Sequence, residues 1–410
     1  MRSSRPGLPG ASTSSLLVAG LTNLANGWKI RRLIGAGVGK IALPLGILIA
    51  AWRLHVPDLG EGRFAYNVAW ALGVVAYLAW AWRGRVRDGM IVVGSVLICV
   101  LGIELYALVT NPLAIDERPT SFTRRELGWG PAVAGKFRHA RHDARDGRLI
   151  YEVEYTIDRE LTRQVIAAPS GPSVAFFGDS FTFGEGLAEA DTLPQQFADT
   201  TGRRWRVLNL GMSGYGPQQF LRALEIGLFA DALREMRVAV FQTSAWQAER
   251  TSCTPRFTTL APRYEMLAGA AVYRGSCQDR WRHRVRWALM GIATSRLLLR
   301  PLLEGVGRSD IDLYIAVVMQ AAALVREKYG APTVILYLPT APGYLDRAGT
   351  SDREIMERLR AGGMIVIDGA LKAKDFPGQD LTIPGDEHPT GVANRARAAL
   401  LREALAAPLR

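Results

Sequence analysis

Three short pieces of this chain carry residues that could perform covalent chemistry together. Val174-Ala175-Phe176-Phe177 runs into Gly178-Asp179-Ser180-Phe181-Thr182-Phe183-Gly184-Glu185-Gly186; Asn209-Leu210-Gly211-Met212-Ser213-Gly214-Tyr215-Gly216 follows a second apolar run; Gly385-Asp386-Glu387-His388-Pro389 precedes an alanine-rich C-terminal stretch. A serine hydroxyl is a weak nucleophile at neutral pH and needs a base, and an imidazole oriented by a carboxylate is one. On this reading Ser180 attacks, His388 takes and returns the proton, and Asp386 holds the tautomer and stabilises the imidazolium. The backbone amides of Ser180 and Gly214 would face an oxyanion, each such donor contributing about 3 kcal/mol. Phe181, Phe183, Tyr215 and Trp246 would line the approach, although core packing explains Phe181 and Phe183 equally well. Each piece alone also has a structural explanation. A serine or aspartate after a strand is often a helix N-cap, and a histidine before a helix can be a surface residue. Three separately placed pieces seldom coincide, and that favours chemistry.

The pieces must be brought to one edge, and the pattern around them does that. Apolar runs at Val174–Phe177, Trp205–Leu210, Val238–Phe241, Thr333–Leu338 and Met364–Ile367 alternate with helical periodicity at Gln195–Thr200, Pro217–Leu233, Leu313–Lys328 and Asp352–Leu359, and Thr390–Leu405 closes the chain as a helix. Such alternation predicts a parallel sheet covered on both faces, with ligands bound at the strand carboxyl ends. Residues 246–308 break the rhythm as an insertion with a basic Trp/Arg cluster from Arg280 to Trp287. Residues 111–172 form a linker whose Leu149–Ile157 alternates apolar and acidic residues, as an edge strand or hairpin does.

Phe177-Gly178-Asp179-Ser180, Asn209-x-x-x-Ser213-Gly214 and a terminal Asp-x-His-Pro together resemble the SGNH (GDSL-type) hydrolases over roughly residues 173–405. The resemblance implies a three-layer α/β/α flavodoxin-like fold and hydrolysis or transfer of ester-linked acyl groups on lipids, polysaccharides or small esters. Two departures stand out. The family commonly spaces its acid as Asp-x-x-His, whereas Asp386 lies two residues before His388. Where the family has Gly-x-Asn-Asp, this chain has Phe241-Gln242-Thr243-Ser244-Ala245-Trp246-Gln247, so either Thr243, Ser244 or Gln247, the last with the best reach, supplies a third oxyanion donor or the hole has two donors.

The 410 residues are 49% hydrophobic, and the excess is concentrated in the first 110 positions. A basic leader over 1–32, without acidic residues, suits the cytoplasmic side. Spans are expected at about 33–52, 64–82 and 89–110, the last with a single Glu104. The basic loop Arg83-Gly84-Arg85-Val86-Arg87 places the link between the last two spans in the cytoplasm, so that the chain from 111 onward faces the periplasm or the exterior. A signal peptide over 33–58 would need a small-x-small cleavage site, which does not follow. The net charge of +12 is scattered among acidic residues without a basic-aromatic stripe or helix-turn-helix, which argues against nucleic acid. Cys99 falls in a span; Cys253 and Cys277 either form a disulfide, as an oxidising compartment permits, or are buried thiols. Two cysteines without neighbouring histidines do not make a metal site, and no cofactor is implied.

The expectation is a membrane-anchored extracytoplasmic serine esterase. Its alternatives are an acyltransferase acting on envelope polysaccharide with a membrane partner that supplies acyl groups, and a catalytically silent envelope- or carbohydrate-binding module.

Overall fold

The structure, a computed structural model, describes residues 62–110, 115–117, 124, 126–143, 146–303 and 305–409, with Ala42, Pro44, Gly46, Ile47 and Ala50 ahead of them. The basic leader and nearly all of the span expected at 33–52 lie outside the described residues. The chain divides into two units, one reaching Thr110 and including Ile292–Thr294, the other comprising Asn111–Gly291 and Ser295–Arg410.

In the first unit, α1 (Arg63–Ala81) and α2 (Arg85–Thr110) are packed against each other across a short turn. Their 19 and 26 residues correspond to about 28 and 39 Å at 1.5 Å per residue, and both are long and apolar enough to cross a bilayer. They overlap the stretches expected as spans at 64–82 and 89–110. Glu104, an acidic residue in an apolar helix, is fully buried within this unit. Its two carboxylate oxygens accept the backbone N–H groups of Ala293 and Thr294, each at 2.8 Å. These amides open a helix, where a carboxylate is favoured by both hydrogen bonding and the helix dipole.

The second unit begins with β1 (Ile115–Glu117), β2 (Gly135–His142) and β3 (Leu149–Ile157), which form their own antiparallel sheet. The linker therefore contains a hairpin with a third short strand. A parallel sheet follows, built from β4 (Ser173–Phe177), β5 (Arg206–Asn209), β6 (Met236–Thr243) and two later strands. Between β6 and those lie the antiparallel pair β7 (Pro262–Leu267) and β8 (Ala270–Ser276). The last strands are β9 (Thr333–Tyr337) and β10 (Ile365–Asp368). Their order is β10-β9-β6-β4-β5, with every pairing parallel. In terms of the five strands this is 2-1-3-4-5, the flavodoxin-like order, in which the chain reverses direction across the sheet beside β4.

The helices of this unit are α3 (Ser180–Phe183), α4 (Leu193–Thr200), α5 (Pro217–Glu225), α6 (Gln247–Thr251), α7 (Trp281–Met290), α8 (Ala293–Leu303), α9 (Arg308–Tyr329), α10 (Asp352–Ala361) and α11 (Gly391–Ala404). The first residues of α8 belong to the helical unit. Strand β4 shows why the sheet is sandwiched. Its side chains alternate between two faces. Val174 and Phe176 join a cluster with Phe197 of α4 and Leu401 of α11, whereas Ala175 and Phe177 join one with Phe220 of α5 and Ile315 of α9. Both faces are apolar because both are covered. In the insertion, the sulfurs of Cys253 and Cys277 are joined with Cα atoms 5.6 Å apart.

Arg163 fastens the antiparallel sheet to the parallel one. It bridges Ile157 at the end of β3 and Asn209 at the end of β5. Its guanidinium, 1% exposed, donates to the carbonyls of Phe183 (3.0 Å), Gly184 (2.7 Å) and Leu187 (2.6 Å). It also lies over the rings of Tyr155 and Phe183. Burial pulls its pKa down to about 10, which still leaves it charged at neutral pH. Arg163→Met should cost about 3 kcal/mol, because it leaves three buried carbonyls without their donor. The expected readout is a clear drop in the thermal midpoint of the second unit in the purified full chain; an unchanged midpoint would refute the fastening role.

Candidate functional site

The strand-to-helix turn after β4 is shaped by close packing. A Cβ at Gly178 would come within 2.2 Å of Thr182 Oγ1, so only glycine lets the chain double back there. Asp179 N-caps α3 by accepting the N–H of Phe181 at 3.0 Å. Its other oxygen accepts from Gln247 Nε2 (2.9 Å), Arg250 Nη1 (2.7 Å) and Trp246 Nε1 (3.4 Å). Ser180 is thereby fixed at the first helical position, buried just past the carboxyl end of β4. The N-cap role weighed for Asp179 is real, and it places Ser180 where an approaching group meets the N-terminus of α3.

The second piece is set by Asn209, which donates to Thr182 O (3.0 Å) and accepts from Gly211 N (3.1 Å), keeping the two loops side by side. Gly214 has φ +79 and faces the rings of Trp129 and Phe257. Met212 donates to Gly178 O at 3.2 Å, and Arg250 Nη1 reaches Tyr215 O at 2.7 Å. Three strand ends are thus held by contacts to one another.

The third piece is a turn closed by Ile383 N on His388 O (2.8 Å) and Asp386 N on Ile383 O (2.8 Å). Asp386 Oδ1 accepts from His388 N at 2.8 Å and is hydrogen-bonded to His388 Nδ1. The shorter Asp-x-His spacing therefore closes a ring from a carboxylate to both the backbone and the imidazole of the histidine. Arg141 of β2 pairs with the other Asp386 oxygen at 2.9 Å. The imidazole lies 5.4 Å from the Phe181 ring, centroid to centroid, and Phe181 lies 5.5 Å from Trp246. His388 is thus packed against the residue next to Ser180.

Glu185 completes this group. Its buried carboxylate accepts from Ser213 Oγ and lies 3.8 Å from His388 Nε2. The imidazole is flanked by a carboxylate on each nitrogen. Burial alone would lower the His388 pKa; the Asp386 hydrogen bond and the charges of Glu185, Asp386 and Asp179 outweigh it, and the pKa is raised. Burial would raise Asp386, but hydrogen bonding to His388 and the His388 and Arg141 charges win, and it is lowered. Burial, with the charges of Glu185 and Asp386 adding to it, pushes the Tyr151 phenol of β3 far upward, so it remains protonated.

Several expected roles change. Tyr215 is buried in a satellite core and donates its hydroxyl to Trp129 O, with the two rings 5.6 Å apart, so it packs the loop instead of lining an approach. Phe183 is in the same core beneath Arg163. Phe181 is half-buried against His388, and Trp246 is half-buried against Phe181. Gln247 is turned away from the role of oxyanion donor: its Oε1 accepts from Thr243 (2.9 Å) and its Nε2 serves Asp179. Sequence reasoning missed Glu185, Arg141, Arg250 and Tyr151 as members of the group. A carboxylate between Gly184 and Gly186 was a visible signal for the first. The other three arrive from the hairpin and the insertion, and nothing in the local sequence announces that. Among the described residues, no cluster of three or more His, Cys, Asp or Glu could hold a metal.

No family model matches this sequence, and no curated protein matches it. Among solved structures, similar folds occur in SGNH- and GDSL-type hydrolases. A member of the lipolytic protein G-D-S-L family from Veillonella parvula DSM 2008 is 14% identical, with 57% of this chain and 97% of that one covered and a TM-score of 0.34. A carbohydrate acetylesterase family member from Sinorhizobium meliloti is 14% identical, with 57% and 99% covered and a TM-score of 0.33. A psychrotrophic esterase from Pseudoalteromonas sp. is 12% identical, with 58% and 98% covered and a TM-score of 0.34. At such identities and scores the likeness carries no argument about activity.

The arrangement generates a pH expectation. If His388 must be neutral to accept a proton, activity on an ester falls with decreasing pH through a pKa above the ordinary 6.5. Removing the Glu185 charge by Glu185→Gln takes away a group that favours the imidazolium, so the acid limb of the kcat/KM profile should move to lower pH. A limb that stays put would remove Glu185 from the electrostatics of His388. The stability sign is the same: the raised pKa stabilises the fold below the ordinary histidine value, and that contribution is lost as pH rises through the raised one.

Proposed function

We propose that the chain is a membrane-anchored hydrolase that cleaves ester-linked acyl groups through Ser180, His388 and Asp386, with its catalytic unit outside the cytoplasm. The observation that carries this reading is the imidazole of His388, bonded through Nδ1 to Asp386 and packed on Phe181 beside Ser180. Hydrogen bonding at Nδ1 selects the tautomer whose Nε2 is free to act as a base.

In the mechanism, Ser180 Oγ attacks the ester carbonyl carbon as its proton passes to His388 Nε2. The carbonyl π pair moves onto oxygen, which the Ser180 and Gly214 amides stabilise. On collapse, the C–O bond to the leaving alcohol breaks and the alcohol takes the proton from Nε2. Water then repeats the sequence on the acyl-serine and releases the acid. Asp386, backed by Arg141, steadies the imidazolium formed in each half. Glu185, 3.8 Å from Nε2, adds to that stabilisation.

Short p-nitrophenyl esters and a serine-directed phosphonate test the chemistry on the purified full chain. Hydrolysis, phosphonate labelling at Ser180, and a Ser180→Ala loss of at least about a thousandfold in kcat are expected. Transfer of the acyl group to a glycan without hydrolysis would favour the transferase instead, and absence of labelling would leave a binding module.

The sidedness rests on the arginines at 83, 85 and 87 between α1 and α2. A reporter active only outside the cytoplasm, fused after residue 120, should be active; a silent fusion there, with an active one between α1 and α2, would reverse the topology.

A further inference from the structure

Helix α7, which no part of the proposed chemistry uses, has two unlike faces. Trp287 is 6% exposed and packs with the Cys253–Cys277 pair. His283, Arg286 and Met290 are half-buried on the same side, and His283 and Arg286 line a cleft with Arg263 and Arg280. The opposite face is apolar and open: Trp281 is 66% exposed, Val285 49% and Leu289 36%, with Ala288 exposed between them. At 3.6 residues per turn these four fall on one strip, with Arg284 along one edge and Arg282 along the other, both exposed. A soluble surface helix places charge outward and apolar side chains inward. Here the outward face is an apolar strip between arginines, the pattern of a helix that lies in a bilayer interface, with its arginines at the headgroups.

We propose that the Trp281–Val285–Leu289 face of α7 docks onto the surface of an anionic lipid leaflet, with Arg282 and Arg284 contacting lipid phosphates. The inference rests on the membrane-anchored reading of α1 and α2 and is independent of the ester chemistry.

Two further observations choose lipid as the occupant. The first is charge. The helix contains no acidic residue, and Arg280, Arg282, Arg284 and Arg286 fall within seven positions. Their positive field is registered by His283: burial and the charges of Arg280, Arg286 and Arg263 hold its pKa down to about 4. An anionic leaflet is complementary to that field and attracts basic residues close to its surface. The second is tethering. The helix ends at Met290, and Ile292–Thr294 belong to the helical unit, where Glu104 holds the amides of Ala293 and Thr294. The chain that leaves α7 therefore enters, within two residues, the unit that carries the two membrane-length helices.

The test places an environment-sensitive fluorophore on the strip of the full chain. Val285→Cys and, separately, Trp281→Cys are labelled in a Cys99→Ala background and reconstituted in vesicles of phosphatidylcholine with phosphatidylglycerol. Asp231→Cys, whose native side chain is 95% exposed, is the solvent reference. Quenching by a doxyl group carried on lipid should be at least about threefold stronger at 285 and 281 than at 231, with matching protection from aqueous iodide. Arg282→Glu combined with Arg284→Glu should bring the ratio toward one, as should vesicles of phosphatidylcholine alone. A chain that floats with the vesicles yet shows equal quenching at 285 and 231 overturns this proposal and leaves the anchoring reading intact. A chain that does not float overturns both. Iodide protection at 285 without doxyl quenching, persisting in detergent, would mean that a protein surface covers the strip and would equally overturn it.

Discussion

One buried carboxylate, that of Asp179, decides where everything else in the site can be. It follows the end of β4 and meets donors from the start of its own helix and from Gln247 and Arg250 of α6, the arginine also holding the loop after β5. A lone buried carboxylate would be costly, whereas here a guanidinium, an amide side chain and a backbone N–H supply its hydrogen bonds. Three strand ends that share no covalent connection are thereby gathered around one charge. Without that carboxylate the Gln247 amide would lose its acceptor and Arg250 would keep only Tyr215 O, so the cost would exceed that of a single hydrogen bond.

The same logic repeats one layer out. Asp386 has Arg141 opposite it, as Asp179 has Arg250. Each acid near His388 that is paired with an arginine takes that arginine from a segment outside the parallel sheet: Arg141 from the hairpin of the linker, Arg250 from the start of the insertion. The additions to the core α/β fold are therefore electrostatic parts of the site as well as coverings. Arg163 fixes the hairpin through the loop that carries Glu185, so the position of Glu185 relative to the imidazole depends on the linker sheet being in place.

The sheet was legible because burial on both faces leaves continuous apolar runs, and each expected strand overlaps an observed one; β10, expected at Met364–Ile367, is Ile365–Asp368. Boundaries failed where a local cap outweighed periodicity. The helix expected over Pro217–Leu233 ends at Glu225, shortly before Gly227 takes a left-handed φ of +65. The helix expected from Leu313 begins at Arg308, because Asp310 reaches back to the N–H of Gly307. Ser180, Asp386 and His388 could be picked out by type and spacing. Their partners could not, since a one-dimensional pattern shows neither Arg141 crossing to Asp386 nor Tyr215 turning its hydroxyl to Trp129.

Gln247 illustrates the limit most clearly. A polar side chain shortly after β6 suggests an oxyanion donor, yet the polar groups there bond to one another: Thr182 to Gln242, Thr243 to both Gln247 and Tyr314, and Gln247 to Asp179. They hold the N-cap of α3, which in turn aims the Ser180 amide. On the proposed mechanism, the side chain at this strand acts by fixing a backbone donor, and the oxyanion is left to the amides of Ser180 and Gly214. Backbone donors held this way need little reorganisation as charge develops, so a site with two of them can still lower the barrier by several kcal/mol. Their effectiveness would then depend on the rigidity of the Asp179 network more than on any one side chain facing the substrate.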